Sequence, residues 1–232
     1  MCLQIAILTI LLILFIVWAS ADVGSNIYIK TICKADVKDK VVALTFDDGP
    51  DETTTEKVLD VLKKYNIQAT FFLVGSKVEK HPDIVKRIYS EGHIVANHTY
   101  SHSGFFPLCS GLKVMGEITK CASAIQKNIG KKPKLFRPPF GVTNPIIGKV
   151  VRALELKTIG WSIRSLDTVR GKTREEIARK VQKNLHPGAI ILLHDRCSKA
   201  DELLENIIEG TLKKGYSFTS LDKMINLQAY EN

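Results

Sequence analysis

No lysine or arginine occurs before Lys30, so the chain opens without the basic segment that normally begins a signal peptide. No two of its five cysteines stand at C-x-x-C spacing, and the thiols therefore suggest no zinc site of their own. Low-complexity tracts and internal repeats are missing, and with 45% hydrophobic residues disorder is excluded. There is no nucleic-acid-binding motif, no phosphate-cradling glycine loop and no carboxylate cluster for a second metal ion. These absences argue against a nucleic-acid partner and against a two-metal phosphoesterase.

Met1 to Trp18 is almost wholly apolar, with Gln4 and Thr9 as its only polar side chains, and Ala19-Ser20-Ala21 follows as a small-x-small pattern that suits a signal peptidase. The run is also long enough to span a bilayer. Left uncleaved, with Lys30, Lys34, Lys38 and Lys40 behind it, it would tend to hold the body in the cytoplasm. The cleavage-like site and the chemistry below point outward instead. The expectation is export, or anchoring at the membrane through residues 1–18. Residues 1–21 are read as signal peptide or anchor, 22–40 as a linker, and 41–232 as one domain, which is expected to be monomeric.

The formal charge of +9 lies beyond the leader. Its densest region, Lys113 to Lys134, reads as a solvated helix face with a basic loop. Outside the leader, Cys33, Cys109, Cys121 and Cys197 allow three disulfide pairings, but ordinary small apolar residues are the expectation.

The body alternates strand and helix patterns. Apolar, β-rich runs lie at 41–46, 68–74, 93–97, near 134–136, at 156–161, 189–193 and 216–218. Between them, helical spacing covers 53–65, 82–91, 111–128, 145–154, 173–185 and 199–214, with a capping box at Thr173. Such alternation implies parallel strands with helices outside. The expected fold is an α/β, irregular TIM-like βα barrel of about seven parallel strands; an open, doubly wound sheet shares the pattern. In both architectures function gathers beyond the C-terminal strand ends.

The conspicuous polar residues sit at those ends: Asp47 and Asp48, His98 and His102, Arg137, Asp167, and His194 with Asp195. Two imidazoles four residues apart reach one metal if their segment makes a helical turn. Alone, H-x-x-x-H is a weak signal, but a carboxylate from another strand end completes a three-ligand set with open positions. Adjacent aspartates at a tight turn point in different directions, so one can bind metal while the other stays free as a base. His81, His93 and His186 are expected to be structural.

Taken together, TFDDGP (45–50), HTYSH (98–102), RPPFG (137–141), SLD (165–167) and LLHD (192–195) resemble, in order and spacing, the five motifs of the polysaccharide deacetylases. This is the NodB-homology group, also called carbohydrate esterase family 4, and the likeness spans about residues 41–220. The resemblance implies a metal-dependent hydrolase that removes acetyl groups from acetylated glycans. Asp48, His98 and His102 would hold a divalent ion, Zn²⁺ foremost, with Co²⁺, Ni²⁺ or Mn²⁺ as alternatives. Asp47 would be the general base, tuned by Arg137, and His194 the general acid, oriented by Asp167. The backbone N–H of Phe140 would serve the oxyanion, and Leu192 would line the pocket for the acetyl methyl.

The sequence departs from that family in its fourth motif. Where relatives read close to D-x-x-D-W, this chain has Arg164 for the first Asp and Thr168 for the Trp, which alters the wall of the sugar pocket. Trp161 is either a replacement aromatic surface or core, and Phe105 and Phe106, in the loop after the second motif, are either exposed to stack on sugar or touch membrane, or local core. Two alternatives accompany the deacetylase reading: an O-acetyl (xylan-type) esterase on the same site, and a glycan-binding metal protein with weak catalysis.

Overall fold

Along the strand Val41–Asp47, Val42, Leu44 and Phe46 enter one apolar cluster while Ala43 enters another. This alternation places Thr45 and Asp47 on the same face as Ala43, and it sets the architecture. The larger cluster packs against helices, where burying a side chain such as Phe46 contributes roughly 1.5–3 kcal/mol. The other face, with small Ala43 and Ala96 around Phe72, turns inward. Small inward residues leave room for a polar interior.

The computed structural model of the protein describes residues 2–231. In chain order the elements are α1 (Cys2–Ala21), β1 (Thr31–Ile32), β2 (Val41–Asp47), α2 (Thr54–Lys64), β3 (Thr70–Leu73), α3 (Gly75–Lys80), α4 (Pro82–Ser90) and β4 (Ile94–Asn97). They continue as α5 (Gly111–Ile129), β5 (Leu135–Phe136), α6 (Pro145–Ala153), β6 (Lys157–Ile159) and β7 (Ile163–Arg164). The chain closes with α7 (Arg174–Lys183), β8 (Ala189–His194), α8 (Ala200–Lys213), β9 (Ser217–Phe218) and α9 (Leu221–Ile225). Local signals set the helix ends: Asn144 caps α6 before Pro145, Thr173 and Glu176 form a capping box on α7, and Gly130 ends α5 in the left-handed region.

The strands form one sheet in the order β1-β6-β5-β4-β3-β2-β8-β7, with β9 beside the start of β2. All ladders between these strands are parallel. The sheet curls into a distorted barrel, as the alternation of elements implies. Its two outer strands, β1 and β7, do not pair with each other among the described residues. Parallel register brings the C-terminal ends of β2, β4, β5, β6, β7 and β8 to one side.

The segment 22–40, expected as a linker, is instead folded onto the body. β1 pairs with β6 through Thr31–Thr158 and Ile32–Ile159, Ile29 is buried, and the Ala35 N–H donates to the Gly188 carbonyl at 2.9 Å. The run Ile27-Tyr28-Ile29-Lys30-Thr31-Ile32 has the apolar, β-branched content of an edge strand, which explains why it packs. Upstream, α1 is long and apolar enough to cross a membrane by length and composition, and a signal sequence passes the same test. Of its residues only Ala19 is buried, where its carbonyl accepts the Ser25 hydroxyl at 2.8 Å, and the Ser20 carbonyl accepts the Thr143 N–H at 2.9 Å.

Candidate metal and catalytic site

Arg137, just beyond β5, is fully buried inside the barrel. Burial disfavours its charge, and the Asp47 carboxylate beside it opposes that effect. Its Nη1 donates to Asp47 Oδ1 at 2.6 Å and to Thr45 Oγ1 at 2.9 Å, Nε to the Ile159 carbonyl at 3.1 Å, and Nη2 to the Gly160 carbonyl at 2.8 Å. The guanidinium lies 4.0 Å from the Phe72 ring centroid and 5.6 Å from that of Trp161. One side chain thus ties the ends of β2 and β6 together across the interior and fixes one oxygen of Asp47.

Asp48 is the next residue, at φ 74, so its carboxylate leaves the strand direction. Its Oδ1 lies 3.2 Å from His102 Nε2 and 3.5 Å from His98 Nε2. One ligand atom from each of these three residues falls within 4.8 Å of the others. Burial alone would raise the Asp48 carboxyl, but hydrogen bonding and charge from His98, His102 and Arg196 outweigh it and hold the group well below the usual carboxylate range. His98 donates its Nδ1–H to the Arg137 carbonyl at 2.7 Å, leaving Nε2 unprotonated in the neutral ring and turned toward Asp48. Burial, then the neighbouring His98, lowers the His102 imidazole, which favours its neutral form. Two neutral nitrogens and one carboxylate oxygen form a donor set that fits Zn²⁺ or a similar divalent ion.

The histidines do not meet on a helical turn. His98 to His102 is an irregular loop after β4, with Thr99 at φ 66 and His102 at φ 48. The loop is held by its own backbone: Thr99 N–H donates to Asn97 Oδ1 at 3.0 Å, His102 N–H to Thr99 Oγ1 at 3.2 Å, and Gly75 N–H to the Thr99 carbonyl at 2.9 Å. Asp48, Thr99, His102, Phe140 and Leu166 are all non-glycine residues with positive φ. Such conformations cost of order 1–3 kcal/mol each and persist where surrounding structure over-determines them.

Across the cleft, His194 at the end of β8 donates Nδ1–H to Asp167 Oδ1 at 2.8 Å, and its backbone N–H donates to Asp167 Oδ2 at 2.7 Å. Burial would lower this imidazole, but the Asp167 hydrogen bond and charge, with Asp47 and Asp48 behind them, raise it above the ordinary histidine value. A cavity of about 180 Å³ is lined by Asp47, Asp48, His98, His102, Phe140, Leu192 and His194, together with Gly141, Trp161, Arg164, Thr168 and Arg196. Leu192 is buried on the inner face of β8, and the half-exposed Phe140 ring lies 4.9 Å from that of His102. Trp161 therefore faces the cleft. Of the two loop phenylalanines, Phe105 is exposed and Phe106 is buried with Ile147 and Val114, so each takes a different one of the two readings open to the loop. His93 is structural: it is buried and accepts the Ala69 N–H at 3.1 Å. All cysteines among the described residues are free.

Gly141 carries a constraint at the cleft wall. It has φ +71, and a Cβ there would stand 2.5 Å from the Trp161 ring. Gly141→Ala is expected to cost about 1–3 kcal/mol from backbone strain and the displaced ring. Urea denaturation checks this, with Trp161 fluorescence reporting the displacement; an unchanged midpoint contradicts it.

Two neighbours of the site escaped sequence reasoning. Arg196 Nε donates to Asp48 Oδ2 at 2.7 Å, and Lys77 Nζ donates to the Asp48 carbonyl at 2.7 Å. Position beside LLHD was the available signal for Arg196; Lys77 carried none. Asp195, a strand-end carboxylate in the sequence, lies outside the cleft. It is buried under the Asp48–Gly49 turn, where its Oδ2 accepts the Thr55 hydroxyl at 2.6 Å and burial pushes its carboxyl up to about 7.

The model of the polysaccharide deacetylase family matches residues 34–159. A peptidoglycan-N-acetylglucosamine deacetylase of Bacillus cereus is 37% identical over 187 residues, covering 79% of this chain and 67% of the relative. A peptidoglycan-N-acetylmuramic acid deacetylase of Bacillus subtilis is 35% identical over 191 residues, covering 81% of this chain and 72% of the relative. Among solved structures, a peptidoglycan N-acetylglucosamine deacetylase in complex with 4-naphthalen-1-yl-N-oxidanyl-benzamide matches with a TM-score of 0.81 and 34% identity, over 87% of this chain and 95% of that one.

Proposed function

The chain belongs to the polysaccharide deacetylase family, and on that premise we propose that it is a metal-dependent hydrolase removing N-acetyl groups from the amino sugars of peptidoglycan. The observation that carries this reading is one cleft holding an Asp48–His98–His102 cluster between two ordered pairs, Asp47–Arg137 and Asp167–His194. The intact pairs favour turnover over a binding-only role.

Asp48, His98 and His102 would hold the ion, with Zn²⁺ favoured by the donor set. With a divalent ion bound, the site gains a Lewis acid that polarises the acetamide carbonyl and makes a water molecule more acidic. Asp47, whose Oδ1 is held by Arg137, takes the proton of the attacking water through its other oxygen. The Phe140 N–H supports the developing oxyanion, and Leu192 receives the acetyl methyl. As the C–N bond breaks, His194 Nε2 gives a proton to the departing nitrogen, which would otherwise leave as an unstable anion. The products are acetate and a free amino sugar. Asp167 keeps the His194 Nδ1–H in place and favours the imidazolium.

The raised His194 value has a pH consequence. The acid form is present below the folded pKa and is lost as pH rises through it, so the alkaline limb of kcat/KM should lie above the histidine value of 6.5. Asp167→Asn removes the main raising influence and should move that limb to lower pH. A pH–rate profile checks this; an unmoved limb would remove Asp167 from the assignment.

The family's peptidoglycan relatives and the apolar α1 support a location outside the cytoplasmic membrane, reached by export or by anchoring through residues 1–18, with the catalytic unit formed by residues 41–232 together with the segment 22–40 that supplies the sheet's edge. The first experiment is acetate release from N-acetylated glycan oligomers set against acetyl-xylan. Release from the former alone supports the N-deacetylase; release from acetyl-xylan alone would mark an O-acetyl esterase.

A further inference from the structure

We propose that an exposed apolar patch on the body, formed by Phe105, Leu108, Leu112 and Ile146, rests in the headgroup region of the anionic bilayer that α1 enters. This inference rests on anchoring through α1 and adds a second membrane contact, remote from catalysis.

Phe105, Leu108 and Leu112 are 74%, 83% and 86% exposed, the most exposed large apolar side chains outside α1 among the described residues. Single apolar residues at a surface are ordinary, but a cluster marks a contact. These three are not misplaced core. The same loop turns Phe106 and Cys109 inward onto Val114, Ile118 and Ile147 and leaves its other large apolar side chains outside. The loop is also held in place: Phe106 N–H donates to the Ser103 carbonyl at 2.9 Å and Cys109 N–H to the Phe106 carbonyl at 3.1 Å. Ile146 extends the patch from α6, since a Cβ at Gly111 would lie 3.9 Å from its Cγ2.

The junction beside the patch identifies its occupant. Asn144, which caps α6, donates Nδ2–H to the Pro107 carbonyl at 2.6 Å, inside the patch loop. The residue before it, Thr143, holds the end of α1: its N–H donates to the Ser20 carbonyl at 2.9 Å and its hydroxyl to the Ala19 carbonyl at 3.4 Å. Root of the helix and patch thus share two consecutive residues. The 20 residues of α1 reach about 30 Å, the thickness of a hydrocarbon core. Of α1 only Ala19 is buried, so the helix stands away from the body and the surface around its root faces the bilayer. No slack separates the two, because α1 stays helical to Ala21 and the Asp22 N–H still donates to the Trp18 carbonyl at 3.0 Å.

Charge points the same way. Lys113 follows Leu112, and Lys149 and Arg152 follow Ile146 along α6, all three exposed. Neither 105–113 nor 145–152 contains Asp or Glu. Apolar side chains flanked by basic ones suit the boundary between acyl chains and anionic headgroups. A glycan platform would instead present stacking rings, and of the four patch residues only Phe105 carries one.

The test reconstitutes the full chain in vesicles of mixed phosphatidylcholine and phosphatidylglycerol that carry a photoactivatable phospholipid, with adducts mapped by peptide mass spectrometry. Adducts on α1 show that the helix is inserted. Residues 105–112 should then also be labelled, several-fold above Leu212, an apolar side chain 45% exposed on α8. Vesicles of phosphatidylcholine alone should label 105–112 about fivefold less, the scale of one basic residue at an anionic surface. Combining Phe105→Ser, Leu108→Ser and Leu112→Ser should bring that labelling down to the Leu212 level while α1 adducts persist. The same triple variant should release acetate from soluble oligomers at the native rate, since these exposed side chains support no core. Adducts on α1 with none on 105–112 would overturn the inference and leave anchoring standing; no adducts on α1 would overturn both. Equal labelling in the two lipid compositions would overturn the anionic surface. Acetate release that falls in the triple variant, with circular dichroism unchanged, would assign the patch to glycan instead. The adduct map needs no catalysis, so its outcome is separate from that of the deacetylase reading.

Discussion

Asp47→Asn is expected to lower kcat/KM for acetate release by about 10²–10⁴-fold, the range that positioned general bases contribute. The substitution is nearly isosteric, so the carbonyl oxygen of the introduced amide can still accept from Arg137. What disappears is the oxygen that takes the water proton. Asp48, His98 and His102 are untouched, and bound metal, measured by elemental analysis of the purified variant, should stay near one ion per chain. Loss of activity with retained metal separates the base from the ligands. Activity at the native level would remove Asp47 from the reaction; loss of metal together with activity would mean that the two aspartates share one role.

Arg137→Met is expected to cost about 3–5 kcal/mol of stability, because it breaks a buried ion pair and leaves one charge uncompensated. Arg137 is fully enclosed, and its removal also strips the Ile159 and Gly160 carbonyls of their donor. Arg137→Lys should recover only part of the loss, since an ammonium cannot span Asp47, Thr45 and two carbonyls at once. A double-mutant cycle identifies the cause: if stranded charge dominates, Asp47→Asn combined with Arg137→Met should be more stable than the two separate losses predict. Additive losses in urea denaturation would instead point to packing against Phe72 and Trp161.

Much of the fold was legible because the strands obey simple rules. Long or strongly apolar runs such as those of β2, β3 and β8 show their period directly, and their ends carry the polar residues that meet in the cleft. Strands of two residues, β1 and β7, carry no periodic signal, and only their neighbours in space make them strands. For the same reason the segment before Val41 reads as a linker in sequence, although it forms the sheet's edge. The H-x-x-x-H spacing singled out two histidines that do converge with Asp48, but not on the helical turn it implied. A loop with two non-glycine residues at positive φ, pinned by Asn97 and Gly75, replaces the helical turn, and backbone conformation of that kind leaves no mark on residue spacing. Lys77 left no sequence signal because it reaches Asp48 from α3, and Arg196 had only its position beside LLHD to mark it.

In the proposed reaction the Asp48–His98–His102 cluster serves deacetylation through a bound divalent ion. Its most direct test is acetate release from N-acetylated peptidoglycan fragments by the full chain before chelation, after a strong chelator, and after Zn²⁺ is restored. Release should fall to background with chelator and return with Zn²⁺, with no such return in His98→Ala. Release that persists unchanged after the metal has been stripped would contradict it.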